Sequence, residues 1–109
     1  MAVTFISPTG LAAGEPLLLT ATTSAAPQTI HTADATKNDI LELYAGTNDG
    51  AAYTLYLQIG SGAWVQHYIE GVGETRVFAG QISGSKTIKA YASVASKVEL
   101  SPGKCIRVG

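Results

Sequence analysis

The feature that most constrains this chain is alternation of apolar and polar side chains, interrupted by glycine-rich turns. In Ala52–Gly60, Tyr53, Leu55, Leu57 and Ile59 fall on one side, and Thr54, Tyr56 and Gln58 on the other. Lys86–Ala95 repeats the pattern, with Ile88, Ala90, Ala92 and Val94 opposite Thr87, Lys89, Tyr91 and Ser93. A period of two places successive side chains on opposite faces of a strand. No window carries apolar residues at helical spacing without a glycine or a β-branched run inside it. Further strands are expected over Gln28–Thr32, Asn38–Ala45, Ala63–Ile69, Glu74–Ala79, Lys97–Leu100 and Lys104–Val108. Gly46-Thr47-Asn48-Asp49-Gly50, Gly60-Ser61-Gly62, Glu70-Gly71-Val72-Gly73, Gly80 to Ser85 and Ser101-Pro102-Gly103 read as turns or loops. Strands at this spacing predict an all-β fold, an antiparallel two-sheet β-sandwich that is jelly-roll or immunoglobulin-like in connection. Ile40-Leu41-Glu42-Leu43-Tyr44 is apolar at nearly every position, so this strand is expected to be covered on both faces. The small Ala90 and Ala92 imply close approach of the two sheets.

At 109 residues the chain has the length of one domain. Residues 1–27 differ from the rest, with three of the four prolines and a single charge, Glu15. They read as an extended N-terminal arm with short strands at Ala2–Ile6 and Leu17–Thr22, packed on the body or on a neighbour. Residues 28–109 form the sandwich domain. Three adjacent leucines, Leu17 to Leu19, argue that the arm is ordered, since leaving them in water is costly.

Seven Lys and Arg against eight Asp and Glu give a net charge of −1, so the basic footprint of a nucleic-acid binder is absent. The start of the chain lacks the cationic region of a signal peptide, and no stretch is long enough to span a membrane. The expectation is a protein made and folded in a cytosol, without nucleic acid or membrane as partner. The single cysteine, Cys105, forms no internal disulfide, and with His31 and His67 it lacks metal-ligand spacing. No metal or other cofactor is expected.

The acid pairs Glu70/Glu74 and Asp34/Asp39 flank turns, where carboxylates ordinarily form and cap the turn. A glycosidase would need two such groups facing each other across a sugar. Gly60-Ser61-Gly62 is not a nucleophile elbow, and Gly71-Val72-Gly73 lacks the third glycine of a dinucleotide loop. The chain is therefore read as a non-enzyme. Trp64 is assigned to the core; the alternative joins it with His67 and Tyr68 in a sugar-binding platform.

Only 14% of residues are charged, so the surface is largely neutral. Lys86, Lys89 and Lys97 can guard some strand edges, but several edges have no such guard. An oligomeric structural module follows, with Phe5, Leu17, Leu18 and Leu19 of the arm and Tyr56 and Tyr91 of the body as candidate protein contacts.

Three segments carry a resemblance. Gln28-Thr29-Ile30-His31-Thr32-Ala33 with Asp39 to Ala45, then Tyr53 to Gly60, then Thr87 to Ala95, resemble small virion structural proteins of tailed bacteriophages, over roughly residues 28–108. The resemblance implies a capsid decoration or cement protein. Such a protein would be a homo-oligomer, by analogy a homotrimer, on the outer shell with the major capsid protein as partner, after synthesis in the host cytoplasm. A tail, neck or head-fibre component and a carbohydrate-binding adhesion module are the alternatives. The pattern differs from the lambda-type decoration protein, and the resemblance assigns no functional residue.

Overall fold

The computed structural model describes residues 2–109; Met1 lies outside them. Ten strands make two packed antiparallel sheets. They are β1 (Val3–Phe5), β2 (Leu17–Leu18), β3 (Gln28–Thr32), β4 (Asn38–Thr47), β5 (Tyr53–Ile59), β6 (Val65–Ile69), β7 (Thr75–Ile82), β8 (Thr87–Ala92), β9 (Val98–Pro102) and β10 (Ile106–Val108). The only helical turn among the described residues is Ala12–Gly14. The smaller sheet has the order β3-β8-β5-β6. In the larger sheet β4 is central. It pairs with β7 along one edge and with β9 and then β10 along the other, with β2 outside β9 and β1 outside β10.

The two-residue period decides what is buried. Leu55 and Leu57 of β5, Ile88, Ala90 and Ala92 of β8, Leu41, Leu43 and Ala45 of β4 and Leu100 of β9 fill the space between the sheets. At about 25 cal/mol per Å² of apolar surface removed from water, this layer is the main source of stability. Three strands run further than the turn residues predicted, and β4 itself continues through Gly46 and Thr47, opposite Glu99 and Val98. β7 continues through Gly80 to Ile82 because β4 is long enough to pair with it throughout, Asp39 opposite Ile82. β9 continues through Ser101 to Pro102, opposite Tyr44 and Leu43. Val94 is not part of the inward stripe of β8. It lies beyond the strand end and is exposed.

The arm belongs to the body. β1 pairs with β10, β2 pairs with β9, and Leu11 and Leu19 enter the core. It also ties the two sheets together: Leu19 N–H donates to Val98 O at 2.9 Å in the larger sheet, and Ala21 O accepts from Ala92 N–H at 3.0 Å in the smaller. Gly10 makes this lacing possible. Its N–H donates to Ile30 O at 2.8 Å, and a Cβ there would stand 2.3 Å from Thr29 O.

Candidate functional site

A buried polar cluster is the first place to look for chemistry. β3 carries a bulge between Thr29 and His31, which turns Ile30 and His31 inward although they are neighbours. Buried His31 meets buried Asp39 of β4, with Nε2 to Oδ2 at 2.8 Å. The backbone N–H of Thr9 donates to His31 Nδ1 at 3.1 Å. An N–H can only donate, so Nδ1 is the acceptor and the ring proton sits on Nε2, donated to Asp39. Arg107 of β10 completes the cluster, with Nε to Oδ1 at 2.6 Å and Nη2 to Oδ2 at 3.0 Å. Burial pushes the Asp39 carboxyl up, but the Arg107 and His31 hydrogen bonds and the Asp34 N–H outweigh it and hold it below its ordinary value. Asp34 is held low by the N–H groups of Thr36 and Lys37, whose turn it caps. Each carboxylate oxygen of Asp39 is engaged by protein, so this cluster joins β3, β4, β10 and the arm, with His31 and Asp39 buried and Arg107 partly exposed. Nothing local in the sequence signals it, since Arg107 lies 68 residues beyond Asp39.

Glu74 shares a shallow depression with Glu99, Thr47 and Ser101, and Glu70 does not line it. Cys105 is buried between Glu42 and Gly103, with its thiol pushed up by burial. Among the described residues, no group of three or more His, Cys, Asp or Glu side chains could hold a metal ion, and no helix is long and apolar enough to cross a membrane.

The exposed faces of the two sheets are more informative. On β4, Leu41 and Leu43 point inward, and the expectation that the alternate residues are covered too holds only in part, since Glu42 and Tyr44 are half-buried but Ile40 is not. Ile40 is 38% exposed, because a two-layer sandwich has no third layer to cover it. Registration lines Ile40 up with Ile106 of β10 and Ile106 with Phe5 of β1; Val108 and Val3 form the next rung. Phe5 is 80% exposed and Val3 62%. This is a contiguous apolar patch where alternation would ordinarily place polar groups. Beside it, Ile40, Ile106, Ala79, Gly80, Glu42 and Lys104 line a groove of about 300 Å³.

The outer face of the smaller sheet is different. Tyr56 and Tyr91 are directly opposed across β5 and β8 and stack, with ring centroids 4.5 Å apart and an interplanar angle of 10°. Trp64 packs against Tyr91 at 4.9 Å and 68°. The assignment of Trp64 to the core is therefore corrected. It follows the Gly60-Ser61-Gly62 turn, stays half-buried and covers the solvent face. His67 faces the other way from that group, opposite Leu55, at the rim of an apolar crevice between the sheets.

Of the arm residues, Phe5 is on the exposed patch, while Leu17 and Leu18 lie at the β2 edge, half-buried and 37% exposed. Leu19 is withdrawn as a contact residue, because it is fully buried in the chain's own core. Comparison with protein-family models, curated proteins and solved structures finds no match. The class the fold defines is an all-β, two-sheet antiparallel sandwich.

Proposed function

We propose that this chain is a structural virion protein of a tailed bacteriophage, a decoration or cement protein that binds the outer shell as a homo-oligomer, most simply a trimer. The observation that carries the reading is the apolar patch on the outer face of the larger sheet, with Val3, Phe5 and Ile40 exposed and Ile106 and Val108 half-buried between them. The resemblance over residues 28–108 supplies the partner, the major capsid protein.

The mechanism is additive burial. A standard interface covers roughly 800 Å² per partner, about one seventh of this chain's 5653 Å² surface. Apolar contact depends little on salt, and symmetry repeats a modest contact over the whole shell, so avidity holds what single contacts would not. Bridged capsomer joints then resist the pressure of packaged DNA.

The test is co-sedimentation of the purified protein with capsids that lack it, counting bound copies per particle. Copies comparable to the major shell protein, lost in Phe5→Asp, support the reading. A handful of copies moves the protein to the neck, tail or a head fibre. No binding overturns the virion reading.

A further inference from the structure

We propose that the outer face of the smaller sheet is a carbohydrate-binding platform for a neutral, pyranose-based glycan, with Trp64, Tyr68 and the Tyr56–Tyr91 pair as its aromatic surface. The inference does not rest on the virion reading and concerns the face opposite the apolar patch.

Register puts Tyr56, Tyr68 and Tyr91 on one face of the sheet, and Trp64 packs on Tyr91 there. Tyr56 lies opposite both Tyr91 on β8 and Gln66 on β6, and Tyr68 lies opposite Thr54. The aromatic group thus spans three adjacent strands, roughly 10 Å at the ordinary strand spacing, the reach of a short oligosaccharide. The stacked tyrosines and the Trp64 edge contact hold three rings in fixed positions before any ligand arrives, which lowers the ordering cost of binding. Tyr68 is 67% exposed and makes no ring contact of its own, so a cross-strand packing role does not account for it.

The groups between the rings decide the ligand class. They are Thr54, Gln66 and Lys89, which offer hydroxyl, amide and ammonium groups at the sheet surface, while the Gln58 amide beside them already donates to Gly62 O at 2.9 Å. A pyranose presents a flat C–H face to an aromatic ring and hydroxyls around its rim, which match this mixture. A nucleic acid needs a cationic groove alongside stacked rings, and this face has one lysine on a chain of net charge −1.

Trp64 is the only tryptophan in the chain, so its emission reports this face directly. The experiment is affinity electrophoresis of the full chain through soluble β-glucan, galactomannan and xylan, with a Trp64 fluorescence titration against the same polymers. The expected result is retardation by at least one polymer, with a change in emission. Tyr68→Ala should weaken binding roughly tenfold or more, as truncation of an aromatic anchor does, with its melting temperature unchanged. Trp64→Phe should retain part of the binding and so separate loss of stacking from loss of fold. Absence of retardation by all three polymers overturns the proposal. So does binding that Tyr68→Ala leaves intact. Neither result bears on the capsid copy number, so the two readings fail separately.

Discussion

Asp39→Ala removes the only fully buried carboxylate among the described residues, and the structure sets the size of the effect. The His31 Nε2–H, also buried, loses its acceptor; an unsatisfied buried donor costs about 1–3 kcal/mol. Arg107 loses a bidentate partner, and a hydrogen bond to a charged group contributes about 1.5–3 kcal/mol. Arg107 is partly exposed and can recover some hydration, which trims that figure. Relief of Asp39's own desolvation offsets part of the loss. The net expectation is about 3–5 kcal/mol, the usual cost of breaking a buried pair from one side. For a domain near this length that lowers the melting temperature by roughly 12–20 °C. Urea unfolding followed by circular dichroism measures it. The pH dependence supplies a second reading. The Asp39 carboxyl is held below its ordinary 3.8 in the folded state. Its stabilisation is therefore complete above the unfolded value and is lost as pH falls through the lower, folded one. The Asp39 contribution should be intact above about pH 4 and fade below it, so the acid limb of the stability profile should be shallower in Asp39→Ala than in wild type. A loss under about 1 kcal/mol, or an acid limb as steep as wild type, would refute the reasoning.

Gly10→Ala should destabilise the domain by about 1–3 kcal/mol, since the new Cβ would collide with backbone oxygens of β3 that cannot yield without moving the strand; equilibrium unfolding tests it. Phe5→Asp should change stability by less than about 0.5 kcal/mol, because the ring touches solvent rather than core; a large loss in the same assay would mean the ring packs within its own chain. Cys105 should react with a thiol reagent only when the domain opens, so labelling should accelerate sharply in denaturant; fast stoichiometric labelling of the native protein would contradict its burial.

Much of the β-architecture is legible along the chain. Gln28–Thr32 coincides with β3, and the inward stripes of β5 and β8 follow directly from alternation. The contact candidates were only partly legible. Leu17, Leu18 and Leu19 look alike in sequence, yet Leu19 enters the core, Leu17 packs half-buried against it and Leu18 is exposed. Trp64 has the composition of a core anchor, but it follows a glycine turn that delivers it to the outer face.

By itself the sequence determined the class of fold, the positions of most strands and the side of each strand that faces inward. These are local properties, set by a two-residue period and by turn residues. Only the tertiary structure decided which strands neighbour one another, and from that everything at the surface and in the polar cluster followed. The bulge at β3 brings His31 inward to an aspartate on one strand and an arginine on another. The rung of Phe5, Ile106 and Ile40 joins three strands far apart in the chain. Such groupings depend on non-local backbone pairing and on a two-layer packing that covers one face of each sheet. No window of sequence contains that information.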